Sequence, residues 1–406
     1  MAEYGLLTPL RERDFARLWL GQMASNVGDW VNYVALTALV WDLTGSAWMV
    51  AVLRACHAVP LLLLGPFSGV FVDRWNRKTT LVIVDLLRAG LVLLLPFVQD
   101  IGTILAVTLA FNVASTFFAP AKNALIPNIV SRDRLLAANS LSSTTQNMAM
   151  VIGPALGGAI LAYGGTAAAF YFDSATFVFS AIAIAAMAAS GALRQGSGEE
   201  RDTRQELLEG LRFATSHLGV RTALLLEVGL MAGWGSINVL AIVIAEKVLS
   251  GGATEYGLLL TAVGFGSVVG ALLTGGAGSR LGLVRFFPLG FVIVGTAIAG
   301  LAGSRVLVAA AAGYFFAGVG RMAIEVAATT MYQRAVPDGL RGRIFSLRHM
   351  VTHLAVLVAN QAAGLFTDAA SVGPILAVAA VVQLACGLLS GLFLARGWGK
   401  AAKEVD

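Results

Sequence analysis

Charge is what this chain has least of. Charged residues fill 13% of its 406 positions against 57% hydrophobic residues, and the mean hydropathy is +0.79. A water-soluble globular domain is excluded by that balance, so most of the surface must face lipid. Cysteine is equally scarce: Cys56 and Cys386 sit far apart in apolar runs, which excludes a disulfide framework. Four histidines offer no set of metal ligands, since His349 and His353, four apart, are only two of the three or four a site needs. No glycine-rich phosphate loop is present; Gly399-Lys400 is followed by Ala401, so nucleotide hydrolysis is not the energy source. No cofactor, no metal and no enzymatic activity are expected. A cleaved signal peptide is not expected either, because Met1 to Arg17 is charged and the first apolar run is too long.

What the chain does have is a series of apolar runs, each long enough to cross about 30 Å of hydrocarbon as a helix. Twelve fall near 15–41, 46–71, 79–98, 103–121, 138–162, 167–190, 221–247, 256–278, 286–302, 306–331, 345–367 and 373–396. They are continuous rather than alternating, which favours helices over a β-barrel. The expected fold is an all-α integral membrane protein, with twelve transmembrane helices in two six-helix pseudo-symmetric bundles. Residues 1–190 form the first bundle and 220–406 the second. Residues 191–219 form a cytoplasmic linker, in which Leu207, Leu211, Ala214 and Leu218 share one face of a short amphipathic helix or a solvated tether.

Of the 28 Lys and Arg, only Lys247 and Arg305 fall on the side opposite the termini, and Arg54, Arg88 and Arg321 lie within predicted helices. By the positive-inside rule both termini are cytoplasmic, in a bacterial-type inner membrane. The +5 net charge then reflects orientation and contact with anionic lipid, not nucleic acid.

Between the second and third runs stands Gly69-Val-Phe-Val-Asp73-Arg74-Trp-Asn-Arg77-Lys78, and 206 positions on a worn copy, Gly275-Gly-Ala-Gly-Ser279-Arg280, follows the eighth. The fifth run carries Gly153-Pro154-Ala-Leu-Gly157-Gly158. Taken with the 6+6 plan, these motifs resemble the major facilitator superfamily of secondary transporters over essentially the whole chain. The Gly153, Pro154, Gly157, Gly158 segment is similar to the antiporter signature, which implies export, although Ala149 stands where that signature has a further glycine. The opening Leu10 to Gln22, the Asn26 to Asp29 segment, Pro120 to Pro127 and Val336 to Arg343 resemble the branch that holds macrolide efflux proteins and the enterobactin exporter. Val107 to Ala119 lacks the arginine that many drug/proton antiporters carry there, so no proton scheme built on it transfers.

Within the loop, Gly69 would let the second helix approach a neighbour closely, and Asp73 would accept hydrogen bonds at the start of the third. The resemblance implies that Gly69, Asp73, Arg74, Arg77 and Lys78 form a conformational latch on the cytoplasmic side; the alternative is a topology signal alone.

Ionisable groups at membrane depth cost about 2.5 to 3.5 kcal/mol on insertion scales, so each is a candidate. Gln22, Asn26, Asp29, Tyr33 and Thr37 share one stripe of the first helix. Asp29 either carries a proton, because desolvation disfavours its charge, or forms a fixed ion pair with Arg54. His57 belongs to that cluster or packs as a hydrogen-bonded core residue. Glu227, Met231, Trp234 and Asn238 line the seventh helix, mixing an acid with adaptable apolar surfaces. Arg321 and Glu325 stand at pairing distance on the tenth. Asp85 and Arg88 form a further local pair, and Asp173 has no evident partner. Asp29, Glu227 and Arg54 are the candidates for proton coupling. Gln22, Asn26, Tyr33, Gln146, Met231, Trp234, Asn238, Arg321 and Glu325 are those for the substrate cavity.

The expected function is proton-coupled efflux of amphipathic organic compounds, such as an antibiotic, drug or siderophore, by a monomer using alternating access. The alternatives are a lipid or lysolipid flippase and, from another class, a non-transporting membrane sensor.

Overall fold

A computed structural model describes residues 7–188, 203–282, 285–369 and 371–393. Within these residues the chain is helical throughout, as an apolar solvent requires, because a helix satisfies its own backbone hydrogen bonds. The helices are α1 (Arg13–Thr44), α2 (Ala47–Arg74), α3 (Arg77–Leu94), α4 (Ile101–Ser115), α5 (Phe118–Ile129), α6 (Leu135–Ala185), α7 (Thr203–Ser216), α8 (Leu218–Val243), α9 (Ala253–Leu281), α10 (Phe286–Gly303), α11 (Leu307–Ala335), α12 (Asp338–Ala369) and α13 (Val372–Phe393).

Ten helices among the described residues are long and apolar enough to cross a membrane. Helix α1 is not one of the ten, because of the polar stripe it carries. The Arg132–Ala185 stretch counts once but runs to 54 residues, about 81 Å if straight, against about 30 Å of hydrocarbon. It is not straight: Gly165, at φ 73° and ψ −178°, joins two helices within α6 in a conformation that L residues rarely adopt. Helix α1 ends similarly, on left-handed Gly45, whose N–H returns to the Trp41 carbonyl at 2.7 Å.

Local chemistry sets the other ends. Asn76 caps α3 by accepting from the Thr79 N–H at 3.0 Å, and Asp100 caps α4 through Thr103 N–H at 2.8 Å. Asp73 was expected at the start of α3, but Asn76 lies nearer the first free N–H groups and takes that place. The start of α2 is capped from outside its own sequence neighbourhood: Asp368 of α12 accepts from Ala47 N–H at 2.8 Å, from Trp48 N–H at 3.2 Å and from the Ser46 hydroxyl.

The chain divides into two compact units. Unit 1 comprises Met1–Gly45, Val52–Gly196 and Gly251–Thr261. In it α6 packs along α1 and α3, with an apolar core that includes Phe15, Leu18, Leu81, Leu125 and Ile184. Glycines set the closeness of α1 and α6. A Cβ at Gly153 would overlap Trp30, and one at Gly157 would press on Val31 and Val34. Gly158 and Pro154 face the start of α9, at Thr254 and Gly257. Unit 2 comprises Ser46–Ala51, Ser197–Ser250 and Ala262–Asp406. Here α8 packs on α12 and α13, and α10 on α11 and α13.

Thr203–Ser216, within the stretch expected as a linker, is helix α7, against α12 and α8, with Ala214 buried, Leu211 and Leu218 exposed and Glu209 paired with Arg343. Residues 191–202 of the expected linker, the Leu207 side chain and those of Ser279 and Arg280 lie outside the described residues.

Candidate functional site

Two buried clusters of acids around an arginine are the chemical centres of the two units. In unit 1, Arg88 of α3 donates to Asp29 of α1 at 2.6 Å and to Asp85, one turn back on its own helix, at 3.4 Å. Its guanidinium lies over the ring of Phe177 at 4.0 Å, so aromatic faces take up the cation where carboxylates do not. Asp173 of α6 completes the group. It is fully buried, beside Thr176, and it presses on Gly28, the residue before Asp29. One oxygen of Asp173 and one of Asp85 have no hydrogen-bond partner. Two carboxyl groups thus face one guanidinium, with a third buried beside them.

In unit 2, Arg348 of α12 holds Glu227 of α8 through Nε at 2.9 and 3.0 Å and through its terminal nitrogen at 2.6 Å. The same nitrogen reaches Glu325 of α11 at 2.9 Å, and the other donates to Thr329 at 3.1 Å. The Tyr332 hydroxyl donates to Glu227 at 2.8 Å. Glu227 is 1% exposed, and each of its oxygens accepts two bonds.

Several expectations are corrected by this geometry. Arg54 is not the partner of Asp29: it stacks on the Tyr33 ring at 3.7 Å and donates to Thr37 at 2.7 Å and Tyr256 at 3.0 Å. Thr37 lies eight residues beyond Asp29, about 12 Å along α1, so a side chain seated there is directed away from the carboxylate. His57 bonds Asn112 at 3.1 Å and packs against the Tyr33 ring, centroids 6.1 Å apart, on which Arg54 stacks. Arg321 and Glu325 do not form an ion pair, because Glu325 turns to Arg348 while Arg321 lies over Trp234, 4.7 Å from the ring centroid. Gly69 makes no close approach to a described residue, since a Cβ there would meet none of their atoms within 4 Å. Lys122 and Arg348, counted with the inner-side charges on sequence, both lie within membrane-spanning helices.

The remaining candidates differ in exposure and partners. Gln22 is buried, and Asn26, Tyr33, Met231, Trp234 and Asn238 are half-buried; Gln146 is exposed. Arg77 donates to the Ala124 carbonyl at 3.0 Å and Lys78 to the Met187 carbonyl at 2.6 Å, so they tie the start of α3 to the middle of α5 and to the residues just past α6. Asp73 and Arg74 are exposed. In α1, Gln22 and Asn26 line a crevice with Trp19, Lys122 of α5, and Ser142 and Thr145 of α6.

Arg348, Tyr332, Thr329, Tyr256 and Lys122 were not singled out on sequence. Only the position of Arg348 and Lys122 inside apolar stretches could have flagged them.

A family model described as transmembrane secretion effector, a branch of the major facilitator superfamily, matches residues 4–404. The chain belongs to this family. It is a multi-pass membrane transporter, not an enzyme. It is 24% identical over 371 residues to macrolide efflux protein A of Streptococcus pyogenes, covering 87% of this chain and 89% of the relative. It is 27% identical over 385 residues to a putative bacilysin exporter of Bacillus amyloliquefaciens, covering 93% and 92%. Among solved structures, a bacterial homologue of the iron transporter ferroportin superposes with a TM-score of 0.74 at 18% identity, over 95% of this chain and 98% of that one. At that identity the likeness concerns the fold.

Proposed function

We propose that this transporter is a proton-coupled exporter of amphipathic organic compounds. The observation that carries the reading is the surplus of acids at membrane depth in unit 1: Asp29 and Asp85 on Arg88, with Asp173 buried beside them. Like charges crowded in a low-dielectric interior do not all ionise, so a cluster with more carboxyls than cations stores a proton. Storage becomes coupling when a conformational change opens the cluster to one side of the membrane and then the other. The 36% exposure of the Asp29 side chain, beside buried Asp85 and Asp173, supports Asp29 as the exchanging group.

The architecture in this proposal has twelve spans. The Arg132–Ala185 stretch crosses twice around Gly165, α4 and α5 cross once together, and α1 crosses despite its polar stripe. Residues 1–190 and 220–406 then form two bundles that rock about a midplane site, joined by 191–219, in a monomer with both termini in the cytoplasm. The proposed substrate contacts are Gln22, Asn26 and Tyr33 in unit 1 and Met231, Trp234 and Asn238 in unit 2. Gly69, Asp73, Arg74, Arg77 and Lys78 act as the latch. The two relatives reported above are named for macrolide efflux and bacilysin export, which supports export and does not favour the flippase.

The test is flux of ethidium in proteoliposomes with and without a pH gradient, wild type beside Asp29→Asn. Gradient-driven flux that Asp29→Asn abolishes is the expected result. Flux indifferent to the gradient in the wild type would overturn proton coupling.

A further inference from the structure

A single residue of unit 2, His217, joins α7 to α8. Its N–H closes the last turn of α7 on the Phe213 carbonyl at 2.9 Å, and its own carbonyl accepts the Arg221 N–H at 3.0 Å as α8 begins. At φ −85° and ψ 106° it is extended between two helices, the conformation of an N-cap. Its side chain does the capping, because Nδ1 accepts the Val220 N–H at 3.3 Å. Phe213 holds the ring for this, stacked on it with centroids 5.4 Å apart and planes 19° apart.

The preferred caps are Ser, Thr, Asp and Asn, whose oxygens accept at any physiological pH. An imidazole accepts at Nδ1 only while that nitrogen keeps its lone pair, so the capping form is neutral with its proton on Nε2. Histidine is also the side chain that changes charge between about pH 5 and 8. Once the ring is protonated, Nδ1–H and the Val220 N–H are two donors aimed at one another, and a cation stands at the positive end of the α8 dipole. The described acids at this end of α7, α8 and α12 are Glu209, held by Arg343, and Asp338, held by Arg341, while Arg212 and Arg221 add positive charge. The His217 ring is half-buried, so water reaches it.

We propose that His217 is a pH-sensitive joint: neutral, it locks α7 against the start of α8; protonated, it gives up the cap and frees α7 to turn. The motion has a path into unit 2. Helix α7 is tied to the start of α12 by Glu209 and Arg343, and Arg348, five residues further along α12, holds Glu227. In the proposed topology this end faces the cytoplasm, the side that proton-coupled export acidifies, so the joint loosens as the transporter works. That consequence alone rests on the export reading.

The experiment measures hydrogen exchange at single amides of the full-length protein in nanodiscs, at pH 8 and pH 5, with rates corrected for the intrinsic effect of pH. No cargo and no gradient are used, so failure of the joint and failure of the export reading give different results. In the wild type, protection of the Val220 amide should fall about fivefold at pH 5, the worth of one helix cap, while that of Leu230 in the middle of α8 stays unchanged. His217→Asn, which caps without titrating, should keep the protection at both pH values, and His217→Ala should lack it at both. Equal protection of Val220 in the wild type at pH 8 and pH 5 overturns the proposal without reliance on a variant. The same fall in a folded His217→Asn protein also overturns it, since another group would then be titrating. A fall that Leu230 shares overturns it too, since the whole helix would then be loosening.

Discussion

Arg348 and Glu227 meet in the interior of unit 2 with three N–O contacts of 2.6 to 3.0 Å, and Glu227 is all but inaccessible. Such a pair is more easily broken than replaced. Removing one partner leaves a buried charge uncompensated, at a cost of about 3 to 5 kcal/mol, whereas removing both costs much less. Arg348→Met should therefore lower the melting temperature of the solubilised protein sharply, and the double variant Glu227→Gln with Arg348→Met should recover a large part of the loss. A double variant no more stable than Arg348→Met would show that the pair is not an energetic unit.

The partner of Asp29 can be tested by coupling energies. Asp29 and Arg88 are 2.6 Å apart, while Arg54 is engaged with Tyr33, Thr37 and Tyr256. Double-mutant cycles on thermal stability should give an interaction of about 0.5 to 3 kcal/mol for Asp29 with Arg88 and close to zero for Asp29 with Arg54. The reverse order would restore the pairing that sequence spacing suggests.

Glycines of the two motifs should respond oppositely. Gly153→Val drives a side chain into Trp30, with an overpacking cost of about 1 to 3 kcal/mol or more. Gly69→Ala meets no atom within 4 Å and should leave thermal stability unchanged. If Gly69→Ala blocks transport while its melting is unaltered, the glycine serves another conformation of the cycle, as the latch requires.

How far the sequence went is instructive at these same residues. The helices were legible because apolar runs of about 20 residues admit few alternatives in lipid. The turn at Gly165 was also visible, in Gly164-Gly165-Thr166 between two runs. Partners across helices were not. Spacing along one helix shows only neighbours three or four apart, so it offered Asp85 to Arg88 and Arg321 to Glu325. In the fold Arg88 makes its shorter bond to Asp29, and Glu325 turns to Arg348. Asp173 had no visible partner because its neighbours, Gly28 and Arg88, are 145 and 85 positions away.

Outside the membrane-spanning helices, Asp100 gives a pH-dependent test. Its carboxylate accepts from the backbone N–H of Thr103 and from the Thr103 hydroxyl, which holds its pKa below the usual 3.8. A depressed folded-state pKa means that the stabilisation is fully present above the unfolded value and is lost as pH falls through the folded one. Asp100→Ala should thus melt earlier than the wild type at pH 7, and the difference should shrink below about pH 3.8. A difference that is the same at both pH values would contradict the cap.

The central claim is that the acid surplus around Arg88 stores a proton, and infrared spectroscopy reads it most directly. A protonated carboxyl gives a C=O stretch separate from that of a carboxylate, and no substrate is needed. The account predicts such a band in the membrane-reconstituted wild type at neutral pH, fading as pH rises and lost or shifted in Asp173→Asn. A wild type with no protonated-carboxyl band at neutral pH, or one whose band is untouched by Asp29→Asn, Asp85→Asn and Asp173→Asn, would contradict it.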